Sequence, residues 1–147
     1  MARQSRGARI LAIIILVIGA VMVVAGGVTW FQVRDQLSAE KITVADDADF
    51  LAGDEVNGPF SAYAQADVIN KHALKATNGK TYAQLEQNDP ARQTAMSASF
   101  LRASLYTSVV AFGIAAMAVG LGITLILIAL ALMSVAKASV HRAAHAG

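Results

Sequence analysis

Two uninterrupted stretches without a formal charge constrain this chain more than any other feature. One runs from Ile10 to Val33, 24 residues, and the other from Ala103 to Ala136, 34 residues. A helix rises about 1.5 Å per residue, so about 20 apolar residues cross a hydrocarbon core of about 30 Å. Both stretches qualify. A buried helix of a water-soluble protein rarely runs so far without a charge. The composition agrees, with 15% of residues charged against a usual share of about 25%.

The remaining charges are segregated along the chain. All ten acids lie between Asp35 and Asp89, among seven bases (Arg34, Lys41, Lys71, Lys75, Lys80, Arg92 and Arg102), so the middle segment carries a net −3. The other five bases are Arg3, Arg6 and Arg9 before the first apolar stretch, and Lys137 and Arg142 after the second. Lys and Arg near the ends of membrane helices mark the cytoplasmic side. The pattern therefore predicts a multi-pass protein of the plasma membrane with both termini cytoplasmic and residues 34–102 extracytoplasmic. It also argues against nucleic acid as a partner despite the overall +2 charge.

The fold expected is an all-α membrane protein. Two transmembrane helices form an antiparallel hairpin around a small, mainly helical extracytoplasmic domain. Its parts are a cytoplasmic tail (1–9), transmembrane helix 1 (10–33), the extracytoplasmic domain (34–102), transmembrane helix 2 (103–136, continuing a helix that starts near 90) and a second cytoplasmic tail (137–147). The first stretch also has the order of a secretory signal: a basic start, an apolar run, then small residues at Ala25, Gly26 and Gly27. Its length, and the interfacial aromatics Trp30 and Phe31, favour a retained helix.

Within the middle segment, Lys41-Ile-Thr-Val-Ala45 alternates polar and apolar residues, as a short strand or extended piece would. Gly53 and Asn57-Gly58-Pro59 read as turns. Phe60 to Thr77 reads as an amphipathic helix on Phe60, Tyr63, Ala64, Val68 and Leu74, with Asp67 and Lys71 as an i,i+4 pair. Asn78-Gly79 stops it. Thr81 to Gln84 fits a capping box for a short helix reaching about Gln87. Asp89-Pro90 combines a capping side chain with proline at a first helical position. The helix after it is expected to reach about Val135, with Met96, Phe100 and Leu101 as a face for the middle domain.

Little here points to catalysis. Without cysteine, disulfides and thiolate chemistry are excluded. Neither apolar stretch holds a charged residue, which argues against a pump or coupled transporter. Asp47-x-Asp49-x-Leu51 breaks the calcium-loop alternation at its third place, and no Glu closes a twelve-residue loop. Gly79-Lys80-Thr81 lacks the glycine a phosphate-binding loop needs five residues earlier, where Leu74 stands. Of the three histidines only His72 is in the middle segment, so a site of two histidines and a carboxylate cannot form there within one chain. No cofactor or metal site is expected. Tyr63, Asp67 and His72 are the candidate interaction surface of the domain. Gly19, Gly26, Ala116 and Gly120 are candidates for close helix packing, within the chain or between copies in a homo-oligomer.

Several segments resemble a family of small two-span membrane proteins from actinobacteria. They are Ala48-Asp-Phe-Leu-Ala-Gly53, Gly58-Pro-Phe-Ser-Ala-Tyr-Ala-Gln-Ala-Asp-Val-Ile69 with His72, Gly79-Lys-Thr-Tyr82 and Ser99-Phe-Leu-Arg-Ala-Ser104. Members of this family of unknown function often carry the label of an aromatic ring-opening dioxygenase (LigA-like). The histidine count argues against that label. The resemblance implies that the middle segment is a defined family module. The function expected is that of a non-enzymatic accessory or scaffold subunit, embedded in the lipid bilayer and contacting another membrane or envelope protein. A membrane protein that binds or senses a small molecule or lipid is the alternative, and an oxygenase ranks third.

Overall fold

The computed structural model describes the backbone of residues 2–144 and the side chains of residues 6–137. Arg3, His141, Arg142 and His145, which entered the reading of the tails, lie outside the described side chains. The described chain is all-α: helix α1 spans Ala2–Ala39, α2 Pro59–Ala76 and α3 Arg92–Ala144, with a 3₁₀ turn at Tyr82–Gln84. Helices α1 and α3 hold 38 and 53 residues, or about 57 and 80 Å at about 1.5 Å per residue. Both are long and apolar enough to cross a membrane. The residues group into two compact units, Met1–Thr29 with Ile114–Gly147, and Trp30–Gly113.

In the first unit the usual order of a protein interior is inverted. The buried positions are small, Ala12, Gly19 and Gly26 on α1 and Ala115, Gly122 and Ala129 on α3. Each set recurs every seven residues, which keeps it on one helix face. The large aliphatics point outward, among them Ile14, Val17, Val21, Val24, Met117, Leu121 and Leu127. Water would penalise so large an apolar surface, whereas lipid tails do not. A Cβ on Gly19 would come within 2.7 Å of the Gly122 carbonyl oxygen, and one on Gly26 within 2.7 Å of the Ala115 carbonyl oxygen. The two backbones touch at these points. Ala116 and Gly120 are exposed on another face of α3, and nothing lies within 4 Å of a Cβ built on Gly120.

The second unit has a core of Leu37, Val44, Val56, Ala62, Ala64, Ala66, Leu105 and Phe112, against which Trp30, Ile42, Ile69, Tyr106 and Val109 pack. Trp30 and Phe112 meet edge to face, with ring centroids 4.7 Å apart. Helix α1 ends in a tight turn, Lys41 N–H donating to the Ser38 carbonyl, and Lys41 adopts φ +52°. The chain then forms a compact loop rather than a strand. Thr43 and Glu55 make an isolated antiparallel bridge, and Val44 N–H donates to the Asp54 carbonyl, Val56 N–H to that of Ile42.

Helix α2 starts where Pro59 fills its first turn, and the Ser61 hydroxyl accepts the Asn57 and Gly58 N–H groups, 3.2 Å each. Its end follows the Asn-Gly rule: Asn78 and Gly79 take φ +53° and +80°, and Gly79 N–H reaches back to the Leu74 carbonyl at 2.7 Å. Its buried residues are Ser61, Ala62, Ala64, Ala66 and Val68. Of the expected apolar face it hides Ala64 and Val68 but not the two rings, for Phe60 is 73% and Tyr63 47% exposed. A closely packed helix buries alanines, because its neighbours leave no room for rings.

The capping box at Thr81 forms, with Gln84 Oε1 accepting the Thr81 N–H at 2.9 Å, but it opens only a single 3₁₀ turn. Leu85 is extended and buried, which ends the helix before Gln87. Asp89 Oδ1 accepts the Ala91 N–H at 2.8 Å just ahead of α3. The N-terminal part of α3 buries Ala95, Leu105 and Phe112, while Phe100 and Leu101, expected to face the domain, are 68% and 53% exposed. The stripe that packs inward lies on a different side of the helix from Phe100 and Leu101.

Candidate functional site

A groove of about 480 Å³ lies between α2 and the N-terminal part of α3. Its α2 wall is Ile69, His72, Ala73 and Ala76; its α3 wall is Gln93, Thr94, Ser97, Ala98 and Leu101. The spacing explains the walls, because 69, 72, 73 and 76 fall on one helical face, as do 93, 94, 97, 98 and 101. Small residues line both sides, so the helices leave a trough between them. Polar groups from His72, Gln93, Thr94 and Ser97 border an otherwise apolar surface. The groove is open and shallow rather than enclosed.

One wall is tied to the acidic loop. His72 Nε2 lies 2.7 Å from Asp47 Oδ2. That hydrogen bond, aided by the charge of His72, holds the Asp47 carboxyl below its ordinary value of 3.8. Beside it, the Lys71 ammonium bonds Asp49 and lies 3.4 Å from Asp67, and the Asp49 bond above all raises the lysine above its ordinary 10.5. Gln65 Oε1 accepts the Ala45 N–H at 3.0 Å, and the Phe50 and Tyr63 rings stack at 6.4 Å. Tyr63 in turn meets Tyr106 edge-on at 5.9 Å.

The structure thus distributes the three candidate residues of α2 differently from one another. His72 reaches the groove and fastens the loop, Tyr63 sits between loop and α3 aromatics, and Asp67 completes the ion pair on Lys71. Asp47 lies 25 residues from His72 and Asp49 lies 22 from Lys71 in sequence, and only the local Asp67–Lys71 spacing was legible. Of the groove residues of α3 only Leu101 was singled out by sequence, since short polar and alanine residues on a helix carry no distinctive signal.

Asp47 and His72 resemble the orienting half of a catalytic relay. Among the described residues no group of three or more His, Cys, Asp or Glu side chains is placed to hold a metal ion. A second hollow, about 310 Å³, lies beside Tyr82, Asp89 and Arg92. There Arg92 caps the Leu85 carbonyl at 2.6 Å and covers the Tyr82 ring at 4.1 Å, a structural clasp. Comparison with protein-family models, curated proteins and solved structures finds no match for this chain.

Proposed function

We propose that this chain is a non-enzymatic membrane protein that acts as an accessory or scaffold subunit, presenting an outward domain to another membrane or envelope protein. In this reading α1 and α3 cross the plasma membrane as an antiparallel hairpin, with both termini cytoplasmic and residues 34–102 outside. The reversed order of the contacts, Gly19 with Gly122 and Gly26 with Ala115, supports the antiparallel pairing. The same reading groups it with the two-span actinobacterial proteins it resembles.

The observation that carries the subunit reading is the open groove flanked by Leu101 and the neighbouring Phe100, both more than half exposed. A shallow trough with bulky apolar residues beside it suits a protein surface, such as a helix laid across it. The test is purification of the full chain in mild detergent, as wild type and as Phe100→Ser with Leu101→Ser. A stoichiometric protein partner that the double variant loses would support the reading. A lone chain carrying a small molecule in the groove would overturn it. Ligand binding is the second reading, supported by a volume inside the range of about 300–1,000 Å³ seen in ligand sites. The shallow, open form of the groove weighs against it.

A further inference from the structure

Arg102 is the one described residue with a buried side-chain nitrogen, Nε, that has no hydrogen-bond partner. No carboxylate lies within salt-bridge distance of it, although the same unit pairs Lys71 with Asp49 and Asp67, and His72 with Asp47. Its guanidinium carbon stands 5.9 Å from the centre of the Tyr106 ring, which the Tyr63 ring meets edge-on. The head is thereby oriented, partly stripped of water and left without a counter-charge. A partly buried charge in that condition is unfavourable until an anion joins it.

The position of Arg102 identifies the anion. It is the last charge before the 34 residues that lack one, and the next on that helix is Lys137. At about 1.5 Å per residue the two are about 52 Å apart, against about 40–45 Å for a bilayer with its headgroups. Long basic side chains can bend toward a membrane and cover such a difference. Arg102 extends to Tyr106, one turn nearer the apolar run. Nε is buried, which leaves the two terminal nitrogens of the guanidinium as the fork that matches two oxygens of a phosphate.

We propose that Arg102, steadied by Tyr106, binds the headgroup phosphodiester of an anionic phospholipid in the outer leaflet. The site rests on the membrane topology given above. Arg34, the first charge after the other apolar stretch, is exposed and has no carboxylate within salt-bridge distance among the described residues. It provides general attraction without the oriented, shielded setting, and so serves as the control.

The experiment uses the full chain in a neutral detergent, with native mass spectrometry reading bound short-chain phosphatidylglycerol, phosphatidylcholine or soluble glycerol phosphate. Wild type should prefer phosphatidylglycerol. Arg102→Gln should weaken that binding about 20-fold, and Arg34→Gln by no more than about fivefold. Arg102→Lys, which keeps the charge and loses the fork, should fall between them. It is the variant to read if Arg102→Gln loses its helical circular dichroism. Equal retention of phosphatidylglycerol by wild type and Arg102→Gln, or no lipid preference in wild type, would overturn the site. Stronger binding of glycerol phosphate than of lipid would assign it to a soluble anion instead and overturn the lipid. Failure of the topology shows separately, as a chain recovered from cell extract without detergent.

Discussion

Replacing Gly122 with alanine adds a single methyl group at the tightest point between α1 and α3. Its Cβ would stand 2.6 Å from the Gly19 carbonyl oxygen and 2.9 Å from the Val23 backbone nitrogen. Both obstacles are backbone, so no side chain can swing away, and the helices must separate by roughly half an ångström along a face packed to interior density. Overpacking of this kind costs about 1–3 kcal/mol, roughly a 5- to 150-fold loss in the helix-pairing equilibrium. The matched control is Gly120→Ala on the same helix, where nothing lies within 4 Å of the new methyl. That change should be neutral or slightly favourable, since alanine is the better helix former by up to about 1 kcal/mol. The single tryptophan, Trp30 on α1, packs against Phe112 on α3, so its emission reports helix separation during titration from mild detergent into dodecyl sulfate. Gly122→Ala should shift the midpoint to lower dodecyl sulfate and Gly120→Ala should not. Equal midpoints for both variants would refute the assigned contact face.

Two other perturbations test the second unit. Phe112→Ala removes the largest fully buried side chain and should cost about 3–5 kcal/mol, read as earlier loss of Trp30 emission and faster amide exchange in α2. Asp47 has its carboxyl held below 3.8 by His72, so the folded form binds fewer protons there than the unfolded chain. The stability it contributes is therefore complete above about pH 3.8 and disappears as pH falls through the lower folded value. Asp47→Asn should abolish that acid-side loosening of the 41–57 loop in hydrogen exchange. A wild-type loop whose protection does not change on acidification below pH 3.8 would count against the latch.

The starts of α2 and α3 and the end of α2 were legible because local chemistry decides them, whereas α3 runs on to Ala144, past the expected Val135, and the helix after Thr81 stops at Gln84. Asp89-Pro90 stands just before α3, Pro59 opens α2, and Asn78-Gly79 closes it in the left-handed conformation that these two residues tolerate best. The faces were harder to read. Ala116-xxx-Gly120 and the seven-residue series Ala115, Gly122 and Ala129 lie on one helix, and a shift of one residue turns a side chain through about 100°. Only the matching seven-residue series Ala12, Gly19 and Gly26 on α1 selects between them. Hydropathy rightly marked Ala64 and Val68 as inward but also Phe60, Tyr63, Phe100 and Leu101, which are exposed, while it passed over the buried Ala62, Ala66 and Ala95. The tie between His72 and Asp47 was beyond reach because it depends on how a loop 25 residues away folds back.

The proposed topology places the middle of the chain outside the membrane and both ends inside. Because the chain has no cysteine, single cysteines introduced as Asn88→Cys and Ala146→Cys report their own side without background. Intact cells treated with a membrane-impermeant maleimide should label the first and leave the second unlabelled until the membrane is opened. Labelling of Ala146→Cys in intact cells, or protection of Asn88→Cys until permeabilisation, would contradict the account.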